Sequence, residues 1–193
     1  MKKFISIISI LALAICLMFT LSGCGSNKNS EKNEDSNSSS NESQKENKDA
    51  KVFEYIEKIE STNTIEEING IIGSEGELVD EKLNKYTWKI SEDASLTATY
   101  YSGTNATISI SCKDDLMKNG NVDFSKYSEI KAALNASSLT YDEFVEKLGN
   151  VQGHMIEKSS SSKIYKWVAE DGRYLRATFS NSSNKCTFVS GRI

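Results

Sequence analysis

The sequence predicts an α+β fold of two tandem helix-helix-antiparallel-sheet repeats, and three observations carry that prediction. One order of residues is used twice along the chain. Each use opens with a helix start signal and a glycine stop, and each closes in stretches where apolar and polar side chains alternate. Helices followed by an antiparallel meander pack as helices on one face of a sheet.

Residues 1–23 read as a lipoprotein signal peptide. Lys2 and Lys3 precede a largely apolar stretch from Phe4 to Phe19, and Leu21-Ser22-Gly23-Cys24 has the pattern of a bacterial lipoprotein cleavage site. The apolar stretch is short for a span of ~20 residues, and it ends in Ser-Gly-Cys rather than in a basic stop-transfer flank. Cleavage exposes Cys24 for lipidation, and two acyl chains suffice for stable anchoring. The expected location is the extracytoplasmic face of the cell membrane, with the lipid on Cys24 as the membrane contact. Residues 24–49 then form the lipidated end and a tether. From Gly25 to Asp49 there is almost nothing to bury, so the tether is expected to be disordered.

The first repeat is expected over 50–120 and the second over 121–193. Phe53, Ile56 and Ile59 form one helical stripe, and Thr64 stands as an N-cap with Glu67 three residues on, as in a capping box, before Gly73 ends the helix. Period-two stretches follow at Tyr86-Trp88-Ile90, Leu96-Ala98-Tyr100 and Ile108-Ile110. In the second repeat Phe124, Tyr127, Ile130, Ala133 and Leu134 make the stripe, while Thr140, Glu143 and Gly149 supply the helix signals. Tyr165-Trp167-Ala169, Leu175-Ala177-Phe179 and Thr187-Val189 supply the strands. Lys113 to Val122 interrupts the correspondence and carries no readable role.

This order of helix-Gly, Tyr-x-Trp and Ala-Thr-aromatic, used twice behind a lipoprotein signal, resembles the tandem-repeat lipoproteins related in fold to the β-lactamase inhibitory protein. The resemblance covers residues 50 to 193. It implies that each repeat ends in a four-stranded sheet and that the two sheets line up into one continuous curved face. It also implies inhibition of a β-lactamase or another penicillin-recognising enzyme as one reading of function. The chain departs from the inhibitor in lacking a cysteine pair inside each repeat, and no inserting loop is matched.

Charge and residue chemistry narrow the partners. The formal charge is -4, and loss of Lys2 and Lys3 with the signal makes the mature chain more acidic still, which excludes a general nucleic-acid binder. On the first repeat's Tyr-x-Trp strand, Lys85 and Lys89 alternate with Tyr86 and Trp88. Burying two lysines would cost more than burying the aromatics gains, so the aromatics face the helices. Tyr165 and Trp167 follow by equivalence, which makes them core rather than a carbohydrate platform. The opposite face then carries Lys85, Lys89 and Tyr101 from the first repeat and Lys166, Tyr174 and Arg176 from the second, a basic and aromatic surface suited to a protein or an anionic envelope polymer.

No catalytic motif is present, neither G-x-S-x-G nor H-E-x-x-H nor a phosphate loop. The lone histidine, His154, follows Gly153 in an apparent turn and reads as a surface residue. No metal site or cofactor is expected. Of the four cysteines, Cys112 and Cys186 remain in the folded part, either as buried thiols or as one disulfide. The expected function is a non-catalytic, lipid-anchored module that binds a partner through its exposed sheet face. Enzyme inhibition and a purely structural envelope role are the alternatives.

Overall fold

The helices are α1 (Ser39–Lys58), α2 (Ile65–Ile72), α3 (Tyr127–Asn135) and α4 (Tyr141–Lys147). The strands are β1 (Glu77–Asp80), β2 (Lys85–Lys89), β3 (Ala94–Thr99), β4 (Thr107–Cys112), β5 (His154–Lys158), β6 (Ser162–Val168), β7 (Tyr174–Ser180) and β8 (Cys186–Arg192). These come from a computed structural model that describes the backbone of residues 39–101, 103–135 and 139–193, and the side chains of 48–101, 103–134 and 139–193. The expected signal peptide and Cys24 lie outside the described residues. Among those residues, no helix is long and apolar enough to cross a membrane.

Every strand pairs antiparallel with its neighbour in sequence, giving one eight-stranded sheet with β1 and β8 as its edges. The fold is therefore α+β. Alternation along the strands separates the two faces. Register carries one row across the whole sheet on the helix side: Leu78, Tyr86, Ala98, Ile108, Lys158, Lys163, Phe179 and Cys186. Two cores lie on this side. In one, Val52, Ile56 and Ile59 of α1 and Ile68 of α2 pack on Trp88, Leu96 and Ile108. In the other, Ile130 of α3 and Phe144 of α4 pack on Trp167, Leu175 and Ala177. Tyr165 packs against both.

Local devices fix the short helices. Thr64 and Thr140 both form complete capping boxes with Glu67 and Glu143, satisfying amides that an eight- or seven-residue helix otherwise leaves bare. Gly73 and Gly149 take positive φ just past the helices, at 80° and 81°. Trp88 donates from Nε1 to Asn69 Oδ1 at 2.8 Å, and Trp167 donates to the Val151 carbonyl at 2.8 Å. Both indoles are fully enclosed.

Three sequence expectations change. The folded part was expected from Ala50, but α1 begins at Ser39, so residues 39–49 are helical rather than the end of a disordered tether. Once the apolar stripe of α1 is fixed on the sheet, Lys, Glu and Gln upstream extend the helix without paying for a new nucleus. His154 is not in a surface turn. It begins β5, half-buried, with its ring stacked on Phe53 at 4.2 Å. The resemblance implied a fourth strand in each repeat, but the residues of β1 and β5 were not located by alternation. β1 is a short edge strand, and a bulge between Met155 and Glu157 breaks the alternation of β5.

The two halves of the sheet meet at a sparse seam. β4 and β5 pair only through Ile108 with Lys158 and Ser109 with Glu157. Helix α1 lies along this seam, with Phe53 at the start of β5 and Glu57 at its end. Lys113 to Val122, which carried no readable role, fills the other side of the gap. A 3-10 turn at Asp114–Met117 leads to Lys118, which forms a parallel bridge with Val168 where β6 has run past the start of β5.

Candidate functional site

The face away from the helices is built by the side chains between the buried ones. Register traces a second row across all eight strands on this side: Glu77, Thr87, Thr97, Ser109, Glu157, Ile164, Thr178 and Phe188. Thr87 and Thr97 hydroxyls lie 3.2 Å apart within it. In the first half the neighbouring positions are Lys89, Ser95 and Ser111. A shallow depression of about 390 Å³ includes those three together with Glu77, Thr87 and Asp93. The first half of this face is thus a field of hydroxyls, and its rim is charged.

The second half is basic and aromatic. Lys166 pairs across the sheet with Arg176, and Val168 with Tyr174. The Lys166 ammonium stands 5.0 Å from the Tyr174 ring centroid and 2.7 Å from Asp114 Oδ1. Arg192 covers the same ring at 5.9 Å and donates from Nη2 to the Gly172 carbonyl at 2.7 Å. Arg176 reaches Glu157 at 3.7 Å.

The fold brings Lys166, Tyr174 and Arg176 together. Lys85 and Lys89 occupy opposite ends of β2, ~13 Å apart at the usual rise per residue. Tyr101 stands beyond the end of β3, 70% exposed. Lys166 is half-buried, and its charge is taken up by Asp114, so it fastens the Lys113–Val122 segment to the sheet rather than presenting a free cation. Val168, which alternation also assigns to this face, is fully covered because the Lys118–Asn119 backbone lies against it.

Phe188 was passed over in the sequence, yet it ends the transverse row at 60% exposure. The signal was there: Thr187 and Val189 mark one face, so Phe188 belongs to the other. Glu157 was missed because alternation did not locate β5.

Cys112 and Cys186 are both free. Cys186 shares its row with Ile108, four strand steps of roughly 4.8 Å away, and Cys112 lies further along β4 from Ile108. That separation excludes the disulfide alternative, because bridged cysteines have Cα atoms within about 7 Å. Burial pushes both thiols up to about 11. Among the described residues, no three His, Cys, Asp or Glu side chains gather as a metal site.

No family model, no characterised protein and no solved structure matches this chain.

Proposed function

We propose that this protein is a lipoprotein held by lipid on Cys24 at the extracytoplasmic face of the cell membrane, and that its open sheet face binds a protein or an anionic envelope polymer without catalysis. The observation that carries the reading is the side-chain row from Glu77 to Phe188, which crosses all eight strands on the face the helices leave bare. A surface with exposed Phe188 and Tyr101 and half-buried Arg176 offers aromatic anchors inside a polar surround, the composition that partner-binding patches favour.

The two halves are read as copies of one unit, in the manner of the tandem-repeat lipoproteins related in fold to the β-lactamase inhibitory protein. Matching capping boxes, matching glycines at positive φ and matching enclosed indoles support this. So does a glycine set against each indole, Gly76 on Trp88 and Gly153 on Trp167.

Two experiments test the function. Metabolic labelling with an alkyne palmitate is expected to mark the chain, and Cys24→Ala is expected to lose both label and membrane fractionation. Crosslinking in intact cells is then compared between the natural chain and a Phe188→Ser, Arg176→Glu variant. Loss of a crosslinked partner supports the binding face, and an unchanged pattern overturns it.

A further inference from the structure

We propose that a cavity of about 260 Å³ where α1 and the end of α2 meet the end of β2 is a binding site for a phosphate ester of a small polyol. Lys48 and Lys51 stand three residues apart on α1, hence on one side of that helix, and the fold brings Lys89 from the end of β2 to the same cavity. Among the described residues no carboxylate lines it, although the chain carries a net charge of -4.

Several lysines elsewhere are matched, while Lys82, Lys85 and Lys163, like the cavity's three, have no carboxylate partner among the described residues. Lys58, Lys113, Lys118, Lys126, Lys147 and Lys166 each have a carboxylate within 4 Å. What sets this cavity apart is three lysines in one lining. Each ammonium is a compact donor with no acceptor, so a group with several anionic oxygens answers all three better than a single carboxylate does.

The rest of the lining selects what the phosphate is attached to. Ile72, Ile90 and the Tyr55 ring supply an apolar wall, with the Tyr55 hydroxyl held on the Ile72 carbonyl at 3.4 Å. Ser74 adds a hydroxyl. This combination takes a short carbon skeleton bearing hydroxyls. The same chemistry is available from a soluble polyol phosphate and from the head group of an anionic glycerophospholipid. Arg176 and Phe188 do not line this site, and Lys89 is the one residue it shares with the depression on the sheet face.

The test uses the full chain in neutral detergent and reads lysine acylation residue by residue by mass spectrometry. One arm adds sn-glycerol 3-phosphate at millimolar concentration. The other transfers the chain to phosphatidylcholine vesicles with or without phosphatidylglycerol. Acylation of Lys48, Lys51 and Lys89 is expected to slow at least threefold relative to Lys82 and Lys163, and Lys89→Gln is expected to remove the protection of Lys48 and Lys51. Protection by the soluble ester supports a site open to the free ligand, and protection by phosphatidylglycerol alone supports the head group. Equal acylation in every arm overturns the proposal, as does protection that persists in the Lys89→Gln chain.

Discussion

The ammonium of Lys158, the last residue of β5, points at the carbonyl of Glu57 in the final turn of α1, 3.3 Å away and 101 residues earlier in the chain. Lys158 is 4% exposed, and Glu60, its carboxylate partner at 3.6 Å, is largely in water. A cation at a helix C-terminus satisfies a carbonyl that the helix leaves bare and opposes the negative end of the dipole. This contact fastens the helix of the first half to the strand that opens the second, across a seam of only two paired positions.

Removing that donor is expected to weaken the seam. Lys158→Met keeps the aliphatic stem and deletes the charge, and it should cost about 1–3 kcal/mol, the usual penalty for a buried group that loses a charged partner. Glu60→Gln should cost less than about 1 kcal/mol, because a solvated partner contributes little. Urea unfolding of both variants checks the difference. Equal costs would mean that the ion pair, rather than the carbonyl contact, holds α1.

Asn119 closes the opposite end of the seam. Its amide donates to the Val168 carbonyl at 2.9 Å, its Oδ1 accepts from the Val168 amide at 2.9 Å, and its Nδ2 donates to the Gln152 carbonyl at 2.8 Å. The side chain thus stands in for the strand that β6 lacks there. Asn119→Ala strands a buried amide, with an expected loss of about 1–3 kcal/mol. Asn119→Asp keeps the Val168 contact and loses only the Gln152 one. Amide exchange at Val168 should therefore accelerate strongly in the alanine variant and little in the aspartate variant.

Legibility in the sequence followed the range of the interaction. Thr64, Glu67 and Gly73 act within one helix, so the helix signals could be read from neighbours alone, as could the inward turn of Trp88 between two lysines. Lys158 broke the same rule. A lysine in a strand reads as solvent-facing, and only the bulge in β5 and the distant Glu57 carbonyl explain its burial. Asn119 and Asp114 each find their partners 49 or 52 residues away, and no local pattern announces such pairs. The candidate face was half legible for that reason. Alternation assigned Arg176 and Tyr174 to it, but could not foresee that Asp114 would occupy Lys166.

Gly76 and Gly153 are expected to be irreplaceable for a packing reason. A methyl at either would sit 2.5 Å from Trp88 Cε2 or 2.6 Å from Trp167 Cε2, inside atoms that have no room to yield because both rings are enclosed. Alanine at either position should cost about 1–3 kcal/mol by overpacking. Tryptophan emission should shift with it. If Gly70→Ala, where open space meets the new methyl, disturbs the emission as much, the packing account fails.

The thiols of Cys112 and Cys186, both pushed up to about 11 by burial, are almost wholly protonated at pH 8. The thiolate is the reactive form, so iodoacetamide should label them slowly in the folded chain and quickly in urea. Peptide mapping without reductant should recover each cysteine as a separate thiol. A crosslinked Cys112–Cys186 peptide would contradict the strand order.

His154 supplies a pH dependence that can be assigned without ambiguity, because it is the only histidine in the chain. Its imidazole is half-buried against Phe53, and burial holds its pKa below the ordinary 6.5. A base depressed in the folded state binds fewer protons there than in the unfolded chain. Stability is therefore complete above pH 6.5 and falls as the pH drops through 6.5 towards the folded pKa, where the loss levels off. His154→Phe keeps the ring on Phe53 and removes the proton. Its unfolding free energy should be flat between pH 7 and 5.5, where the natural chain slopes. Parallel slopes in the two chains would place the titrating group elsewhere.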